Sequence, residues 1–136
     1  MQFARIVLAL NGLILAGYGL LCLFVPTTLT SAAGLGMEST VASTEVRAMY
    51  GGLELAIGVL FLLASVRESL LEPGLIAGVT VFTGLGVARA LGIMLDGGPG
   101  AYNVVAVIYE LVTAGLMLVG LGRVGSPIAR SDASSA

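Results

Sequence analysis

The sequence predicts an all-α integral membrane protein built as an antiparallel four-helix bundle, and three observations lead there. Mean hydropathy is +1.05. Hydrophobic residues make up 57% of the 136 positions and charged ones only 10%, too little polar surface for a domain of this length in water. Four apolar runs, at 6–25, 48–66, 74–95 and 101–122, are each long enough to cross a hydrocarbon layer of about 30 Å as a helix.

The first run closes at Pro26, which cannot donate to a helix. Its apolar length exceeds that of a signal-peptide core, so it reads as a retained span. The connection at 27–43 is the longest. Leu29, Ala32, Ala33 and Leu35 allow a short interfacial helix there as readily as a loop. Thr44 and Glu45 stand at the entrance of the second span, where a hydroxyl caps and a carboxylate suits the positive helix end. Ser69 to Glu72 has capping-box spacing before the third span, and Pro73 falls in its first turn. Asp96-Gly97-Gly98-Pro99-Gly100 is a tight turn into the fourth. Links this short make consecutive helices antiparallel neighbours. Residues 1–125 thus read as one transmembrane domain, and 126–136 as a polar tail.

Glu54-Leu55 aligns with Glu110-Leu111, and Asn11-Gly12-Leu13 with Thr83-Gly84-Leu85, the pattern of a duplicated helical hairpin. Gly- and Leu-rich spans also resemble one another by chance. Arg5, Arg67, Arg123 and Arg130 share one side of a four-span layout. The positive-inside rule then puts both termini in the cytoplasm. Every basic residue is Arg, and Gly and Ala are abundant, as in proteins from GC-rich bacterial genomes.

Several functions are excluded or disfavoured. No His is present and Cys22 is the one cysteine, so no metal-ligand or haem-ligand set is expected, and no cofactor. A net charge of −2 without a basic cluster argues against nucleic acid. The chain is short for a secondary transporter with broken helices.

The informative residues are those the bilayer tolerates least. Glu54, Arg89 and Glu110 each lie inside a different apolar run, where a charge costs about 2.5 kcal/mol or more. Helical spacing sets Arg47, Tyr50 and Glu54 on one face of the second span, and Arg89 and Asp96 on one face of the third. Asn103 and Glu110 share a face of the fourth, while Asn11 and Tyr18 share a side of the first. At about 1.5 Å per residue, Glu54, Arg89 and Glu110 all fall in the outward half. With Arg47, the cluster is expected to balance at two charges of each sign. The glycines, from Gly12 to Gly115, are expected to permit close helix contacts, and the aromatic residues to serve packing or interface anchoring.

Two readings of the cluster remain. In one the charges hold the helices together, as polar links do in lipid. In the other Arg47, Tyr50, Glu54, Arg89, Asp96 and Glu110 form a site for a membrane lipid or lipophilic ligand, with Arg offering donors and a carboxylate serving as acid or base if the ligand is transformed. The first suits an accessory subunit of a larger membrane complex or a homo-oligomer. No catalytic signature decides whether the protein is an enzyme.

The run Glu45-Val46-Arg47-Ala48-Met49-Tyr50-Gly51-Gly52, followed by Arg89, then Asp96-Gly97-Gly98-Pro99 and Glu110-Leu111, resembles a bacterial family of four-span membrane proteins. That family is known as a domain of unknown function in the neighbourhood of DoxX-like proteins. The resemblance spans roughly residues 5–122, implies a four-helix integral membrane domain, and implies no activity. The expected location of the chain is the bacterial cytoplasmic (inner) membrane.

Overall fold

The computed structural model describes residues 1–98 and 100–124. Pro99, Arg130 and the polar tail at 126–136 lie outside the described residues. Among those described there are five helices and no strand: α1 (Gln2–Phe24), α2 (Thr27–Ala33), α3 (Thr40–Val66), α4 (Glu68–Asp96) and α5 (Ala101–Val124). All but α2 are long and apolar enough to cross a membrane. The chain is a multi-pass membrane protein with an all-α four-helix core, as its hydropathy requires.

The helix ends explain how the predicted spans grew. Ser39 is extended and its Oγ accepts from the Ala42 N–H at 3.1 Å, so α3 starts at Thr40. Thr44 therefore does not cap; its hydroxyl donates to the Thr40 carbonyl at 2.9 Å inside the helix. The added turns, Thr-Val-Ala-Ser-Thr-Glu-Val, are too polar for a hydropathy reading to include. The predicted capping box before the third span is likewise corrected. Arg67, extended at φ −103° and ψ 119°, is the single hinge residue between α3 and α4, and Glu68 lies in the first turn of α4. Pro73 consequently sits inside α4, one turn past its start, where the carbonyl it leaves without a donor belongs to exposed Ser69. Gly97 ends α4 at φ +70°, a left-handed cap that glycine adopts without strain, and its N–H reaches the Ile93 carbonyl at 3.2 Å. Of the two readings for the first connection, a helix is found at Thr27–Ala33, with Leu29 fully buried.

The four long helices run antiparallel in sequential order around the bundle, with α5 returning against α1. Two pairs are closest, α1 with α3 and α4 with α5. The first hairpin is built on backbone contact. A Cβ on Gly19 would stand 2.5 Å from the Leu55 nitrogen, and one on Gly58 would stand 2.5 Å from the Ala16 nitrogen. Gly84, Gly92 and Gly115, by contrast, face open space, so the expectation of close packing fails for them. They lie on the outer faces, beside exposed Leu85, Leu91 and Leu116.

The interior divides by depth. Toward the termini, Leu8, Phe61, Leu71, Leu75, Phe82 and Met117 form a dry core of fully or almost fully buried side chains. Phe61 and Phe82 pack with ring centres 6.2 Å apart, and Phe82 meets Tyr109 edge-on at 5.7 Å. The Arg5 guanidinium donates to the Ser65 carbonyl at 3.1 Å, and Arg123 stacks over Phe3 at 4.6 Å, both at that same end. Beyond Tyr109, toward the other end, the filling turns polar.

Candidate functional site

The polar half is assembled from all four long helices. Arg89 of α4 faces Glu110 of α5 across a two-toothed contact. Nη2 donates to Oε1 at 2.8 Å, and Nε is shared between Oε1 and Oε2 at 3.1 and 3.2 Å. Nη1 donates to Asn103 Oδ1 at 3.3 Å, and the Tyr102 ring lies 5.8 Å from the guanidinium carbon. The planar fork of Arg suits this side-on grip on a carboxylate. Gly86, one turn before Arg89, brings α4 against Leu111 and the Glu110 stem.

The pair is unevenly buried. The Glu110 side chain is 6% exposed and the Arg89 side chain 26%. Arg89 has five N–H donors, and the contacts above occupy one on each of its three nitrogens. Two donors are left without a partner among the described residues.

Glu54 of α3 lies within electrostatic range of Arg89, Glu110, Tyr109 and Cys22. It forms no ion pair or hydrogen bond among the described residues. Glu54 follows directly on a wide helical turn, Arg47–Leu53, whose i→i+5 hydrogen bonding differs from the rest of α3. Such π-helical turns re-aim side chains and recur at functional sites. The turn carries Tyr50, which is also within reach of the Arg89 charge.

All four tyrosines of the chain gather around these charges: Tyr50, a predicted site residue, and Tyr18, predicted to share a side with Asn11, are joined by Tyr102 and Tyr109, which the sequence assigns only to packing or interface anchoring. Tyr109 donates to Asn11 Oδ1 at 2.8 Å, and Asn11 in turn donates to the Val7 carbonyl at 2.8 Å. Tyr18 lies beside Tyr102 and Cys22, yet its buried hydroxyl has no hydrogen-bond partner among the described residues. The available signal was Tyr102 and Tyr109, seven residues apart beside Asn103 and Glu110. An open, largely apolar groove of about 480 Å³ follows these turns of α5, lined by Ala101, Tyr102, Val105, Ala106 and Tyr109.

Two expected members stand apart. Arg47 is exposed and its Nη1 donates to the Leu23 carbonyl. That carbonyl belongs to the last turn of α1 and lacks an intrahelical donor, so a cation there is doubly favoured. Asp96 is exposed at the end of α4 and forms no ion pair among the described residues. The expected balance of two charges of each sign is therefore corrected. Arg89 faces Glu54 and Glu110, and the formal sum of the interior set is −1. Among the described residues no three His, Cys, Asp or Glu side chains converge to hold a metal ion.

Residues 3–126 match the model of the family described as domain of unknown function DUF4345, and the chain belongs to that family. No curated protein and no solved structure matches it.

Proposed function

We propose that this member of the family works in the bacterial cytoplasmic membrane as a binding protein that seats the polar head of a lipid or other lipophilic molecule in the outward half of its bundle. One observation carries this reading. Arg89 is fastened by Glu110 and Asn103, yet a quarter of its side chain is open, two of its donors are unused, and Tyr102, whose ring lies 5.8 Å from its guanidinium carbon, lines an open apolar groove. A purely structural pair has no need of that opening, and intramembrane charges are costly enough to be kept chiefly where they work. An apolar groove with a few polar groups near it is the usual composition of a small-molecule site. The ligand's head supplies an acceptor to Arg89, and its chain lies along Val105 and Ala106. Arg47 and Asp96 stand at the same end of the bundle, flanking the way in. Should the ligand also be transformed, Glu54 is the group in position to move a proton.

The test is native mass spectrometry on protein extracted from membranes in a mild detergent. A retained amphiphile is expected. Tyr102→Ala and Asn103→Leu should keep the fold, since both residues are partly exposed near the start of α5, and should weaken retention by about tenfold, or 1.4 kcal/mol. Protein that carries no amphiphile, while co-purifying with a larger membrane assembly, makes it an accessory subunit instead.

The orientation has its own measurement. Arg5, Arg67 and Arg123 lie at the end that holds Met1 and the last turn of α5, and Arg47 lies at the other, which supports cytoplasmic termini. In a Cys22→Ala background, an impermeant thiol reagent applied outside should label Gly98→Cys and spare Glu68→Cys until the membrane is opened. The reverse pattern inverts the topology.

A further inference from the structure

We infer that the head taken by this site is zwitterionic, with an acceptor group on Arg89 and an ammonium against Glu54; this rests on the head-group reading above. The inference starts from what the site leaves unspent. Arg89 keeps two donors after binding Glu110 and Asn103. Glu54 keeps a whole carboxylate that no described side chain hydrogen-bonds, although it is half-buried among Cys22, Tyr109 and the ion pair. One open donor edge and one open carboxylate ask for an acceptor and a donor on the same ligand.

Charge selects the type of donor. The interior set carries one Arg against two Glu, so a head with a single negative charge takes the sum further from neutrality. A head with only a positive charge corrects the sum but leaves the Arg89 edge without an acceptor, beside a cation it repels. A zwitterion answers both. Its ammonium brings up to three donors, and its acidic group meets the guanidinium fork.

The aromatic surroundings point the same way. Tyr109 lies within electrostatic range of Glu54, Tyr50 and Tyr102 within range of Arg89, and Tyr18 beside Tyr102 and Cys22. Tyrosine rings attract ammonium and alkylammonium groups, and Tyr109 stands in range of Glu54. The Tyr18 hydroxyl, buried beside Tyr102 and Cys22 and without a hydrogen-bond partner among the described residues, is a further group that a polar head can satisfy. The same pair of charges occurs on a bilayer phospholipid with an aminoethyl phosphate head and on a free N-alkyl amino acid. The chemistry at the site is shared between them.

The experiment titrates the full chain in a neutral maltoside detergent with four probes: phosphatidylethanolamine, phosphatidylglycerol, dodecylamine and N-dodecylglycine. Both zwitterions are expected to bind about tenfold tighter than either singly charged probe, and Glu54→Gln is expected to reduce that margin to about twofold. Whichever zwitterion binds tighter identifies the source, bilayer lipid or free amphiphile. If phosphatidylglycerol binds the wild type as well as phosphatidylethanolamine, the inference is wrong while the head-group site stands. The same holds if Glu54→Gln leaves the margin unchanged. The wild-type comparison decides the matter even if that variant misfolds. Saturable binding of none of the four probes overturns the head-group reading itself.

Discussion

Arg89→Met should destabilise the bundle by about 3 to 5 kcal/mol, and adding Glu110→Leu to it should restore much of the loss. The reason lies in what each change leaves behind. Without Arg89, the Glu110 carboxylate stays in a residue 4% exposed, beside Ala114 and Thr113, with neither fork nor water to receive it. Without Glu110, Arg89 is better placed. Its side chain is already 26% exposed, and Glu54 lies within electrostatic range as a second partner. Glu110→Leu alone should therefore cost less than Arg89→Met alone, and the double variant less than Arg89→Met. A double-mutant cycle read from unfolding in mixed micelles measures the coupling directly. Strictly additive losses would mean that the two side chains do not sense each other, contrary to a 2.8 Å contact. The double variant, if folded, is also a clean control for function, because it removes the open Arg89 edge without leaving an orphan charge.

Legibility in this chain follows the size of the penalty. Glu54, Arg89 and Glu110 were readable because the bilayer makes an internal charge costly wherever it sits, with no need to know its neighbours. Depth was readable for the same reason, since rise per residue is nearly constant. Rotation and reach were not. Arg47 shares the Glu54 face by spacing, yet its long side chain leaves that face for the Leu23 carbonyl, a partner set by how α1 ends beside α3. The wide turn at Arg47–Leu53 alters the helical register just where that spacing was counted. Glu54 and Glu110 occupy matching places in the weak repeat, but only Glu110 meets an arginine. The second hairpin is joined by that ion pair and the first by glycine contact, so a shared sequence pattern does not imply a shared environment. Tyr50 is legible from its spacing to Glu54, but Tyr102 and Tyr109 are unremarkable on their own helix, and the convergence of the tyrosines is a property of α1, α3 and α5 together.

Gly19→Ala and Gly58→Ala should be among the most damaging glycine-to-alanine changes, and Gly115→Ala should be neutral or mildly stabilising. Alanine is the better helix former by up to about 1 kcal/mol, which is the whole effect expected at Gly115, where a Cβ meets nothing within 4 Å. At Gly19 the new methyl would lie 2.5 Å from the Leu55 nitrogen and 2.8 Å from the Gly51 oxygen, all backbone. At Gly58 it would lie 2.5 Å from the Ala16 nitrogen and 2.8 Å from the Gly12 oxygen. Neither contact can be relieved by turning a side chain, so α1 and α3 must part along the seam. Overpacking of this kind costs about 1 to 3 kcal/mol and moves backbone. At Gly19 the clash lands on Leu55, next to Glu54, so this variant should also reduce retention of the bound amphiphile more than its loss of stability alone explains. Gly58, one turn further from the charges, should lose stability with a smaller effect on binding. Thermal melts and ligand retention measured on all three variants separate these effects. Equal stability of Gly19→Ala, Gly58→Ala and wild type would show that the two helices do not touch along this seam, and with it would go the placement of Glu54 against the Arg89–Glu110 pair.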